Sequence, residues 1–154
     1  MATENQHKPN DFTPVVGAMN LAEYVMHITE NPKKFRDYSL TSKENGDGTI
    51  TQILIFRADS LTNMVRNMAN QIYLLTYAAN RIRVDRQPWR KDERLEKQAE
   101  ASRLCEDLLA EIQLCRKHYH LSSRQVQNWG EMVVKLKKAI DGWHEKDKDR
   151  YKNI

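Results

Sequence analysis

Apolar residues recur at alternating steps of three and four near the end of the chain, and this spacing constrains the fold more than any other feature. The residues that share it are Val126, Trp129, Val133, Leu136, Ile140 and Trp143. Such steps place side chains on one face of an α-helix. Ser122 and Gln125 form a capping-box pattern at its start, and Leu121 and Val126 form the hydrophobic staple around it. The sequence predicts a long helix with one continuous apolar stripe.

Two earlier segments carry the same spacing. It predicts a second helix from about Asp59 or Ser60 to Arg83, and a third from about Asp92 to Tyr119. The second stripe is Leu61, Met64 or Val65, Met68, Ile72, Leu75, Ala79 and Ile82. The third is Leu95, Ala99, Ser102, Cys105, Leu109, Ile112, Cys115 or Arg116, and Tyr119, widened by Leu104, Leu108 and Leu114.

A shorter first helix is expected before these three. Thr13–Pro14 can start it, and Asn20 with Glu23 offers a second start. It should end near residue 30, because Pro32 disfavours helix at the residue before it. Four helices with one apolar stripe each, joined by short loops, predict an all-α, up-down four-helix bundle.

The expected domain limits follow from these elements. The bundle should cover residues 14–146, between a flexible tail over 1–13 and a charged tail over 147–154. Fraying of the last helix is expected from about Glu145 onwards. Residues 37–58 have no helical spacing and form an insertion between the first and second helices.

Within the insertion, the stretch KENGDGTIT resembles the middle of a calcium-binding loop. With Gly48 at the sixth position of an EF-hand, oxygen-bearing side chains fall at four expected places: Asn45, Asp47, Thr49 and Thr51. The first position is Lys43 and the last is Leu54, so both strong anionic ligands are missing. Asn-Gly and Asp-Gly favour a tight turn instead. We therefore expect a small hairpin that pairs Thr49–Phe56 with Tyr38–Ser42.

Catalytic and metal-binding patterns are weak in this sequence. Cys115, His118 and His120 lack a fourth zinc ligand nearby, and Cys105 and Cys115 suit apolar filling of the third helix. The predicted helices contain no Glu-x-x-His pattern, and the sequence contains no CxxC, HExxH or phosphate-loop pattern. We expect no metal, no cofactor and no enzymatic activity. The absence of an apolar run of ~18 residues or a signal-peptide core predicts a cytoplasmic protein without a membrane contact.

Basic residues concentrate where the second and third helices connect. The chain carries a formal charge of +4, and six basic against three acidic residues lie between Arg81 and Arg94. Arginines beside an aromatic ring suit contact with phosphates and single-strand bases. The candidate nucleic-acid-binding residues are Arg81, Arg83, Arg86, Trp89, Arg90, Lys91 and Arg94, with Lys33, Lys34 and Arg36 after the first helix and Lys135, Lys137 and Lys138 on the fourth. Composition alone equally allows cations that only solvate helices and a Trp89 that packs over the bundle end.

Two blocks of sequence resemble a known family. They are AEYVMHITENPKKFR, residues 22–36, and LLTYAANRIR, residues 74–83, continuing through the third helix to HLSSRQVQNWGEMVVKLKKAIDGWHEKDK, residues 120–148. Together they resemble a small bacterial four-helix-bundle family. This family includes the accessory variability determinant proteins of diversity-generating retroelements and the proteins encoded in intervening sequences of large-subunit ribosomal RNA genes.

The resemblance implies a non-catalytic protein that forms a ring-like homopentamer with a basic surface. It also implies binding to a reverse transcriptase and its template RNA or cDNA, in support of mutagenic retrohoming. This sequence departs from the family pattern between Arg36 and Asp59, and the insertion there leaves the oligomer geometry open. The alternative is a protein–protein scaffold without a nucleic-acid role, in which Met64, Met68 and Leu75 contact partner helices.

Overall fold

Long amphipathic helices dominate the computed structural model, which describes residues 12–31, 33–35, 38–56 and 60–154. The helices are α1 (Thr13–Thr29), α2 (Leu61–Arg81), α3 (Lys91–Tyr119) and α4 (Ser123–Arg150). Helices adjacent in sequence pack against each other, and α4 returns to contact α1. A hairpin of strands β1 (Tyr38–Glu44) and β2 (Ile50–Phe56) separates α1 from α2, and a short 3-10 helix (Pro88–Arg90) precedes α3. The predicted all-α bundle with a hairpin insertion is confirmed.

Two helix starts follow from local side-chain chemistry. Ser122 Oγ accepts a hydrogen bond from the Gln125 backbone N–H at 3.2 Å, and Gln125 Oε1 accepts one from the Ser122 N–H at 3.2 Å. This is the predicted capping box, and it satisfies two N–H groups that the helix leaves without partners. Ser60 caps α2 by accepting a bond from the Asn63 N–H at 3.0 Å. Helix α1 begins at Thr13 without a side-chain cap, so the alternative start near Asn20 is not used.

The buried core confirms the stripe of α4, resolves the alternative on α2 and corrects the first half of α3. All six predicted positions of α4 are buried. On α2, Val65 is buried and Met64 is 43% exposed, which resolves that alternative. On the first half of α3, three residues are buried that the apolar pattern does not include: Arg94, Gln98 and Ala101. They take the places expected for Leu95, Ala99 and Ser102, which are half-buried.

The C-terminal segment also differs from expectation. Helix α4 continues to Arg150, where a frayed, charged tail was expected from Glu145 onwards. The reason is Asp147, which lies four residues after Trp143 on the inward face and is fully buried. Its carboxylate pairs with Arg94 at 2.7 Å, so an interhelical ion pair holds the last turns of α4 against α3.

The hairpin turn confirms the interpretation of KENGDGTIT as a tight turn. The Gly48 N–H donates to Asn45 O at 3.0 Å, and Gly48 has a φ of +86°, which glycine adopts at low cost. Asp47 Oδ1 accepts bonds from the Thr49 N–H and hydroxyl. Asn45 Nδ2 donates to the hydroxyls of Thr49 and Thr51. The side chains that resemble calcium ligands thus hydrogen-bond within the turn itself.

Candidate nucleic-acid interface

The connection between α2 and α3 is anchored by alternating side chains. Ile82 and Val84 are buried, whereas Arg83 and Asp85 between and beyond them are exposed. The backbone then turns sharply, because the N–H groups of Arg86 and Gln87 both donate to Arg83 O, at 3.0 and 2.8 Å. The connection is therefore a fixed turn that directs its arginines outward.

Trp89 lies on the 3-10 helix that follows this turn. The residue before Pro88 is kept out of the helical region, and Gln87 has a φ of −132° and a ψ of 68°. The Arg90 N–H then donates to Gln87 O at 2.9 Å and closes the short helix. Trp89 is 76% exposed, in contrast to the buried Trp129 and Trp143. The indole is therefore free to stack on a ligand, and the interpretation that it packs over the bundle end is wrong.

An aromatic pair extends this surface along α2. Arg81 Nη1 donates to the Tyr77 hydroxyl at 3.1 Å, and its guanidinium lies 5.6 Å from the centre of that ring. Tyr73 lies a turn earlier, with 5.9 Å between the two tyrosine ring centres. Sequence reasoning missed both tyrosines, although their spacing of four residues from each other and from Arg81 was a visible signal. Tyr73, Tyr77 and Arg81 thus form a second group of aromatic and cationic side chains at the end of α2.

Arg90 and Lys91 already have protein partners. Arg90 donates from Nε and Nη2 to the two carboxylate oxygens of Glu93, at 2.9 and 2.8 Å. This hydrogen bonding holds the pKa of Glu93 below its ordinary value. Lys91 Nζ donates to the backbone carbonyls of Tyr151 and Ile154, at 3.3 and 3.0 Å. Both side chains stabilise the local structure, and their charges are less available to a ligand.

Arg94 belongs to the packing of this bundle end. It is 7% exposed, and its Nε donates to Asp147 Oδ2 at 2.7 Å. Its Nη1 donates to the carbonyls of Ala79 and Ile82, at 3.2 and 2.8 Å. The carbonyls at the end of α2 thus receive donors from a long side chain. We therefore remove Arg94 from the outward-facing set that the sequence suggested.

The remaining predicted cations do not join the turn in one patch. The ring centre of Phe35 lies 4.7 Å from that of Tyr119, which places the neighbouring Lys33 and Lys34 at the α3–α4 end of the bundle. Arg36 lies outside the described residues. On α4, Lys135 and Lys138 are exposed, whereas Lys137 pairs with Asp141 at 2.8 Å. The exposed arginines at the bundle end that carries Trp89 are therefore Arg81, Arg83 and Arg86, which we call the turn arginines. Arg83 lies 3.9 Å from Asp85 in an exposed ion pair.

Cys105 and Cys115 are buried, as the apolar interpretation predicted. Burial raises the pKa of the Cys105 thiol to about 12, so this side chain stays protonated. His118 and His120 are exposed. The described part of the chain contains no group of three His, Cys, Asp or Glu residues placed to hold a metal. Among the described helices, none is both long and apolar enough to cross a membrane.

Comparisons with protein-family models, with curated proteins and with solved structures find no match to this chain.

Proposed function

We propose that this protein is a non-catalytic, oligomeric accessory protein that binds single-stranded nucleic acid at the α2–α3 end of its bundle. The observation that carries the proposal is the exposed indole of Trp89 at the same bundle end as the exposed turn arginines. Base–aromatic stacking contributes about 1–3 kcal/mol per base, and each neutralised phosphate releases counterions. The hydrogen-bonded turn lowers the backbone ordering cost of binding, and the arginine side chains still lose rotamer freedom.

The polymerase partner is proposed from the family resemblance. The accessory variability proteins that this sequence resembles accompany retroelement reverse transcriptases. The ligand would therefore be template RNA or its cDNA in the bacterial cytoplasm. In this role the bundle holds the template while the partner performs the chemistry. Co-purification with a reverse transcriptase encoded beside its gene, and light scattering of the purified protein, test the partner and the expected homopentamer separately.

Charge reversal of the turn arginines tests nucleic-acid binding directly. One variant combines Arg81→Glu, Arg83→Glu and Arg86→Glu. It should bind a labelled single-stranded RNA more weakly by well over tenfold, since three phosphate contacts are lost. The matched control reverses three exposed cations elsewhere, Arg103, Lys117 and Arg124, for the same change in net charge. If the two variants lost RNA affinity equally, binding would depend only on the net charge of the protein. That result would contradict a localised site.

A protein–protein scaffold is the second candidate function, and exposed methionines favour it. Met19 and Met26 on α1 and Met64 on α2 are exposed, and methionine adapts to varied apolar partners. Leu75, which the sequence also suggested for partner contact, is buried in the core. Changing these three methionines to Gln should abolish partner binding but preserve RNA binding if both functions coexist. A scaffold alone would show no RNA mobility shift at moderate salt.

A further inference from the structure

A cleft of about 590 Å³ lies between the start of α1, the end of α2 and the last turns of α4. Four basic side chains line it: Arg94, Lys138, Lys146 and Arg150. It opens at the same end of the bundle as Trp89, because Asn80 on its wall directly precedes Arg81.

The cleft is electrostatically unbalanced. None of its lining residues carries a carboxylate. The buried Asp147 pairs with Arg94 at 2.7 Å and lies 3.6 Å from Arg150. Within the described residues, Lys138 and Lys146 reach no carboxylate within ion-pair distance. The exposed Lys138 and Lys146 and the largely exposed Arg150 thus line one cleft, and Asp147 balances only part of their charge.

The start of α1 adds to this positive potential. Thr13 and Pro14 line the cleft, and the Phe12 cap position supplies no side-chain acceptor to the helix. The N-terminal end of a helix carries a partial positive charge and attracts anions, phosphates in particular. Phe12 and Trp143 pack edge to face with ring centres 4.9 Å apart, and both line the cleft. This apolar wall strengthens the electrostatic attraction on its side of the cleft.

We propose that this cleft binds a phosphate monoester, the dianion found at the end of a nucleic-acid strand. The inference rests on the proposed function: the turn arginines hold the strand, and the cleft takes its terminal phosphate. A monoester has a second negative charge that an internal phosphodiester lacks, and three exposed cations beside a helix N-terminus favour the more highly charged group. A free nucleotide carries the same chemistry and competes for the cleft.

Matched oligonucleotides test this proposal. One short single-stranded RNA is prepared with a 5′-phosphate, with a 3′-phosphate and with hydroxyls at both ends, and each form is titrated by fluorescence anisotropy at fixed salt. We expect one phosphorylated form to bind about tenfold more tightly than the hydroxyl form, as a charge-assisted contact provides. Lys138→Gln with Lys146→Gln should remove that preference, whereas Lys117→Gln at the opposite bundle end should keep it. Adenosine monophosphate should compete with the preferred form more strongly than adenosine does.

Each outcome separates this inference from the proposed function. If all three RNAs bind equally and the Lys138/Lys146 variant matches the wild type, the cleft proposal is overturned while strand binding stands. If no RNA binds but adenosine monophosphate does, the cleft is a nucleotide site and the strand-binding function fails. Gly142→Glu gives a second check, because a β-carbon at this cleft residue meets no atom within 4 Å. The added carboxylate should weaken the phosphate preference without disturbing the fold.

Discussion

The two ends of the bundle are closed by different kinds of interaction. At the α3–α4 end, His120 adopts a left-handed φ of 53°, the Leu121 N–H donates to Arg116 O at 3.2 Å, and the Ser122 capping box starts the next helix. Every one of these contacts is local in sequence. At the α2–α3 end, the carbonyls that end α2 receive donors from Arg94, whose charge is balanced by Asp147.

This difference separates a purely structural end from the end that we propose to be functional. Local caps leave the α3–α4 connection only two residues long between the helix and its cap. At the α2–α3 end, donors from distant residues cap the end of α2 and permit a longer connection. The outward side chains of that connection are then not needed to cap the helix. Arg83, Arg86 and Trp89 are exposed there, while Arg94 satisfies the carbonyls of Ala79 and Ile82 at the end of α2.

The largest expected effect comes from breaking the long-range closure. Arg94→Leu removes the buried partner of Asp147 and leaves this buried carboxylate with the Gln98 amide at 2.7 Å and the exposed Arg150 at 3.6 Å. It should lower the free energy of unfolding by about 3 kcal/mol, measured by urea denaturation. Arg94→Leu combined with Asp147→Leu should recover much of this loss, because the buried carboxylate is gone. Arg103→Leu, at an exposed position of the same helix, is the control. If the double variant were no more stable than Arg94→Leu alone, the ion pair would not explain the burial of Asp147.

A smaller effect is expected from the local closure. Ser122→Ala removes the capping side chain of α4 and should cost about 1 kcal/mol of unfolding free energy, the usual cost of a lost N-cap. Ser123→Ala is the neighbouring control, since Ser123 only accepts a bond from exposed Arg116 at 3.0 Å. Equal changes in the two variants would mean that the capping box adds nothing beyond a surface serine.

The smallest effect should have the opposite sign. His120 occupies the left-handed conformation that glycine adopts without penalty, so His120→Gly should raise the unfolding free energy by about 0.5–1 kcal/mol. His118→Gly, two residues earlier within α3, should lower it by about 1 kcal/mol, because glycine is a poor helix former. Thermal unfolding of the two variants side by side gives the comparison. A loss of stability in both would contradict the cap assignment.

The α4 stripe and its capping box could be predicted because both are local in sequence. Alternating steps of three and four identify the buried face from Val126 to Trp143, and the Ser122–Gln125 spacing identifies its start. The exposed, basic character of the α2–α3 connection was visible for a similar reason. Pro88 interrupts the helical pattern, and charged residues cluster around it.

The buried polar positions could not be predicted from the same patterns. Arg94 and Asp147 are 53 residues apart, and apolar periodicity assigns neither of them to the core. Their pairing shifts the buried face of α3 from Leu95 to Arg94 and carries α4 past its expected end. The separation of Lys33 from the turn arginines, in contrast, could be predicted. An up-down topology places the end of α1 beside the α3–α4 connection, at the opposite end of the bundle from the turn arginines.

The salt dependence of RNA binding tests the central claim most directly. For single strands, the logarithm of the binding constant falls with the logarithm of salt concentration by about 0.7 per neutralised phosphate. The triple reversal of Arg81, Arg83 and Arg86 should therefore reduce the slope by about 2 as well as weaken binding, whereas the Arg103, Lys117 and Arg124 control should keep the wild-type slope. A wild-type slope near zero, or the same slope in all three proteins, would contradict a phosphate-binding surface at this end of the bundle.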